Sequence, residues 1–212
     1  MNVDEAQARM REIQRIMERA TLFTLLPGTA AVVGGLLVLA GCGVSYAMFH
    51  SLDFADILHR PFYDQAAFCV MWFAIGVIGV VLEVILTTRA AAKQQLVPAD
   101  RPMRVAAFSL TPSVIVAMVL TFKFLIPIQP RADEIQYIVP VWMMLYGTGV
   151  YTAGLFSIRP PRLLGLTFIG LGVVALLAFP QYGLVSAALS FGLLHVLFGF
   201  YIIRKQRQTV IS

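Results

Sequence analysis

Six apolar runs dominate this chain, each close to the about 20 residues that a helix needs to cross the hydrocarbon of a bilayer. They fall at roughly 28–49, 66–86, 105–127, 137–156, 163–180 and 183–203. With no water to bond exposed backbone, a crossing segment must satisfy its own N–H and C=O groups, which selects helices for runs of this kind. Composition agrees: 59% of the 212 residues are apolar and 13% are charged. A soluble domain usually carries about 25% charged residues. The expected fold is all-α: a polytopic membrane helix bundle of six transmembrane helices over 27–203. An amphipathic interfacial helix precedes it within 1–26, and a basic tail follows at 204–212.

Residues 2–20 repeat apolar side chains at Ala6, Met10, Ile13 and Met17, a stripe widened by Ile16 and Ala20. That spacing is the signature of one helical face. Four arginines (Arg9, Arg11, Arg15, Arg19) and four acids (Asp4, Glu5, Glu12, Glu18) fill the other faces. Asn2 followed by Glu5 resembles a capping box, and Glu5 with Arg9 forms a favourable i,i+4 pair. A helix of this type lies on a membrane surface rather than crossing it. Its charges and lack of an apolar stretch do not fit a cleavable signal peptide. Pro27 disfavours helix at the residue before it and suits the first turn of the next one, so the chain turns into the bilayer there.

Lysine and arginine fix the orientation. Four lie in the N-terminal segment, four at Arg89, Lys93, Arg101 and Arg104, two at Arg159 and Arg162, and three at Arg204, Lys205 and Arg207. The opposite side has Arg60, Lys123 and Arg131. The positive-inside rule places the larger set, and with it both termini, in the cytoplasm. A basic rim attracts anionic lipid headgroups. The expected partners are therefore the lipid bilayer, anionic lipids at the cytoplasmic face, and a second copy or another membrane protein, with no nucleic acid.

Small residues recur four apart at Ala30 and Gly34, Ala31 and Gly35, Ser186 and Ser190, and Ala188 and Gly192. Such pairs let helices approach closely in lipid, within one chain or across a homodimer. Gly147, Gly149 and Gly154, and Gly165, Gly170 and Gly172, add to the pattern. Gln181-Tyr182 leaves a tight turn between the fifth and sixth runs. Pro112, among Ser109, Thr111 and Ser113, is expected to kink the third helix. Cys42 and Cys69 read as apolar packers rather than a disulfide.

Few residues can carry chemistry. His195 is the histidine inside a run, about level with Thr148 and Thr152, and an ionisable side chain at that depth is a candidate for a ligand or proton site. A hydrogen bond from a threonine is the structural alternative. A bis-histidine haem lacks its second histidine, so no cofactor is expected. Glu83 and Lys123 fall near opposite faces of the membrane and should not pair. Glu83 is expected to reach a basic residue such as Arg89 or Arg104, and Lys123 to snorkel outward. His50, Asp53, Asp56 and His59 follow a three-residue spacing that would suit a divalent ion on a helical loop. Phe54, Ile57 and Leu58 give the same stretch an amphipathic reading. An intramembrane serine protease would need a serine where the fourth run reads Gly147-Thr148-Gly149. There is no HExxH, phosphate loop or paired intramembrane aspartate, so enzyme chemistry has no convergent set.

The stretch Ile13 to Gly28, with Met17-Glu18-Arg19-Ala20-Thr21, Phe23-Thr24 and Pro27-Gly28, together with Gly34-Gly35, resembles the start of an uncharacterised group of small bacterial multispan membrane proteins. That resemblance implies a bacterial inner membrane and transfers no function. The expected role is a non-enzymatic sensor or accessory subunit acting through interaction. The alternative is a small dimeric transporter with a midplane site near His195.

Overall fold

A computed structural model describes residues 28–93, 101–125, 132–155 and 159–211, together with Glu5, Gln7, Arg9, Met10 and Ile13. The amphipathic helix expected over 2–20 lies outside the described residues apart from those five positions. All regular structure among the described residues is helical. Six of the helices are long and apolar enough to cross a membrane. We number these stretches as spans in chain order: Gly28–Phe49, Phe62–Ala90, Phe108–Leu125, Ile138–Leu155, Pro160–Ala178 and Gly183–Gln206. The second span belongs to a longer helix, Phe62–Lys93, and the third to Arg101–Leu125, which runs through Pro112.

Glycine sets the two tightest antiparallel pairings. In the first, Gly28 meets Gly199 and Gly35 meets Gly192, seven residues apart on each helix. A Cβ added to Gly28 would stand 2.5 Å from the Gly199 carbonyl oxygen, and one on Gly35 would stand 2.6 Å from that of Gly192. In the second, a Cβ on Gly165 would stand 2.6 Å from the Gly147 carbonyl oxygen. No side chain fits at these distances, so the helices approach as closely as backbones allow. The expected small pairs are thus used in part. Gly35 and Gly192 are at the contact, whereas Gly34 and Gly170 face open space.

The remaining spans are arranged around these pairs. The second span lies against the first, where Trp72 Nε1 donates to the buried Ser45 hydroxyl at 3.2 Å. The third lies against the fourth, where Trp142 Nε1 donates to Thr121 Oγ1 at 2.7 Å. The sixth joins the two groups by packing on the first and, through Gly183–Ala187, on the fourth. The second and third spans are consecutive in the chain, yet neither has the other as a main neighbour among the described residues. Arg162 ties the start of the fifth span to the end of the fourth. Its guanidinium donates to the Gly154 and Leu155 carbonyls at 2.7 and 3.0 Å, satisfying groups left open at a helix end.

The core sits toward the end of the bundle where the first span finishes and the sixth begins. A short helix, Phe54–Leu58, lies across that end with Ile57 fully buried. Asp53 begins it by accepting from the Ala55 N–H at 2.8 Å. Phe54 packs on Phe68 and Trp72, with ring centroids 5.0 and 6.0 Å away, and on Gly183 at the start of the sixth span. Cys42 and Cys69 are both free. Cys42 packs near the Leu184 carbonyl, with its sulfur 3.7 Å away.

Candidate functional site at His195

The sixth span is an α-helix interrupted by a π-helical segment. Gly183–Ala187 is α, Ala188–Leu194 is π, and α-helix resumes at His195. A π turn carries one extra residue per turn and often marks a functional position within a helix. Here it ends where the imidazole begins. His195 Nδ1 lies 3.4 Å from the Ser190 carbonyl oxygen, five residues back. Nε2 lies 2.8 Å from the Tyr146 hydroxyl on the fourth span. A carbonyl only accepts, so in this arrangement Nδ1 carries the proton and Nε2 accepts from the Tyr146 O–H. Both ring nitrogens of a neutral histidine are thereby used.

Four rings then close around this bond. Tyr146, Phe168, Phe191 and His195 come from three spans, and each contacts the other three at centroid separations of 4.9 to 6.2 Å. Phe191 lies nearly parallel to the imidazole, at 15°. Phe168 is fully buried. The groups around His195 are thus mostly apolar surface and one hydroxyl.

The expected threonine partners do not reach this site. Thr148 donates to the Met144 carbonyl and Thr152 to the Thr148 carbonyl, both at 2.8 Å, within their own helix. The reason is angular. At about 100° per residue, Thr148 lies about 200° around the helix from Tyr146, so the two side chains leave opposite sides. Depth alone selected the threonines, and direction excludes them. Tyr146 was missed, although a tyrosine in an apolar run needs a partner for its hydroxyl.

Glu83 stands at a similar height. Gly41 faces Ile75 and Gly79 faces Leu37 between the first and second spans. Continuing that register one turn brings Glu83 opposite Val33, two residues from Gly35, whose partner across the bundle is Gly192. Glu83 accepts a hydrogen bond from Thr87 at 3.2 Å. The expected pairing with Arg89 is not formed, the side chain of Arg104 lies outside the described residues, and Glu83 meets no cation among those described. Lys123 approaches Glu134 at 3.9 Å and is separate from Glu83, as expected.

The histidines and aspartates between the first and second spans have separate structural roles. His50 ends the first span with a left-handed backbone (φ 50°), its N–H bonded to the Tyr46 carbonyl at 2.8 Å. Asp53 caps the short helix, Asp56 pairs with Arg60 at 3.1 Å, and the His59 N–H closes that helix on Ala55. Hydrogen bonding from Ser51, and then from Arg60, holds the Asp56 carboxyl below the usual carboxylate range. Among the described residues no three His, Cys, Asp or Glu side chains come together as a metal-binding group.

No protein-family model, curated protein or solved structure matches the chain.

Proposed function

We propose that this is a multi-pass membrane protein that acts by interaction, as a sensor or accessory subunit, and not as an enzyme. Its membrane is the bacterial inner membrane, as the resemblance of the entry segment suggests, and the distribution of Lys and Arg supports cytoplasmic termini. Residues 2–20 rest on that surface, where the basic rim meets anionic lipid.

The observation that carries this reading is the unequal packing of the spans. The apolar stretch of the second span is 0% buried and that of the third 6%, against 44% for the fourth. Lipid can cover an apolar helix. It does not supply a partner for a carboxylate, and the second span carries Glu83 well inside its apolar stretch. A dense central group with two peripheral helices that leave most of their apolar surface uncovered, one of them charged, suits a subunit that offers those surfaces to another protein.

Photo-crosslinking in native membranes tests this directly. A crosslinker at Phe73, Val80 or Val84 on the second span should give discrete protein adducts. The same crosslinker at Leu171 or Val174 on the fifth span should give lipid adducts alone. Identical lipid-only patterns on both spans would contradict the interaction reading.

The transporter reading draws support from one feature, the π segment that ends on His195. Under that reading His195→Gln leaves an inserted protein that has lost its pH-dependent phenotype. The ring cluster around the imidazole favours the packed role, in which His195→Gln keeps its function.

A further inference from the structure

Glu83 limits what can cover the second span. At about 100° per residue it lies about 20° around the helix from Trp72, and Gly76 lies about 40° from Trp72 on the same side. Trp72 is packed against Phe54 and Ser45, so this side turns toward the bundle. Below Trp72 the packing continues on the first span, where a Cβ on Gly79 would meet Leu37 at 3.9 Å, but it does not extend to Gly76. A Cβ on Gly76 would meet nothing within 4 Å, and Glu83 is exposed. The third span, which could have closed this side, lies on the fourth instead. The result is a helix face with an open glycine, a carboxylate and the Thr87 hydroxyl, on a side of the second span that the third span does not pack against closely.

The occupant must answer a negative charge. Glu83 is six residues from Arg89, which puts it about 9 Å inside the cytoplasmic edge of the helix. An ionised side chain at that depth pairs with a complementary group. A second copy of this chain would bring a second Glu83 to the seam and oppose like charges. From this charge complementarity and the open glycine beside it, we propose that the Gly76 and Glu83 face of the second span receives a transmembrane helix of another protein, whose lysine or arginine pairs with Glu83. Gly76 admits the close backbone approach, and Thr87 holds the carboxylate toward the seam. This rests on the interaction reading and names the partner's chemistry.

The test uses the full-length protein in vesicles with synthetic transmembrane peptides. The peptides are leucine-alanine helices with one lysine about 9 Å from one end, with leucine at that place, or with lysine at the opposite end. Association is read by energy transfer between labelled peptide and protein. The first peptide should bind about three- to twenty-fold more tightly than the other two, the range set by one polar contact between helices in lipid. Glu83→Gln should remove that preference. Glu83→Lys should transfer it to a peptide with glutamate at the same depth, which guards against a variant that merely misfolds.

A lysine preference that survives Glu83→Gln would overturn the proposal. So would Glu83-dependent self-association of the protein at high lipid dilution, which would assign the face to a second copy. If no peptide shows a preference while the second-span crosslinks form, the charge pairing fails and the interaction reading stands. If the crosslinks are absent as well, both fail.

Discussion

At the scale of single residues, the bond between Tyr146 and His195 is the feature most open to measurement. Hydrogen bonds between side chains in lipid average about 0.6 kcal/mol and reach about 1.7, because the unfolded chain in the membrane also finds partners. A double-mutant cycle of Tyr146→Phe and His195→Leu should therefore give a coupling of about 0.6 to 1.7 kcal/mol in reversible unfolding from mixed micelles. A coupling near zero would mean that the 2.8 Å contact contributes no net stability. His195→Gln retains an acceptor for the tyrosine and should unfold close to the parent. Asp56 allows a pH prediction. Its carboxyl is held low in the fold by Ser51 and Arg60, so its contribution is complete above the unfolded value of about 3.9 and fades as pH falls through the lower folded value. Amide exchange in Phe54–Leu58 should then be unchanged by this group from pH 5 to 8 and accelerate below pH 4. Acceleration beginning near pH 6 would point instead to a histidine. Sequence alone identified His195 and its approximate height. It missed Tyr146 because height does not fix direction around a helix, and because no proline marks the π turn at Ala188–Leu194 in the sequence.

At the scale of elements, hydropathy predicted the spans well, and the first agrees with Gly28–Phe49. Apolar runs show where a helix can lie in lipid. They do not show how far it continues, so the second helix extends to Lys93, beyond the expected 86. The use of glycine was partly legible. The four-residue spacing marked Gly35 and Gly192 but not their seven-residue counterparts Gly28 and Gly199, it gave equal weight to Gly34, and Gly170 was grouped with Gly165 without distinction. Substitution separates these. Gly35→Ala and Gly165→Ala each push a methyl group into a facing carbonyl, and crowding of this sort typically costs about 1 to 3 kcal/mol. Gly34→Ala and Gly170→Ala meet open space and should leave stability unchanged or slightly higher, since alanine favours helix over glycine. The unfolding midpoints of the four variants check this. Equal loss at Gly34 and Gly35 would contradict the antiparallel register of the first and sixth spans.

At the scale of the whole molecule, the chain builds two tight antiparallel pairs, joins them through the sixth span and sets the second and third helices at the periphery, each with most of its apolar surface uncovered. That division was not legible in the sequence, because all six runs are similarly apolar and neighbours in the chain need not pack together. Both the proposed role and the depth of Glu83 depend on six crossings with cytoplasmic ends, which makes topology the most direct test. Reporter fusions after Lys93, Arg162 and Ser212 should report the cytoplasm, and fusions at Asp56 and Asp133 should report the outside. A cytoplasmic signal from the Asp133 fusion would contradict the six-span account.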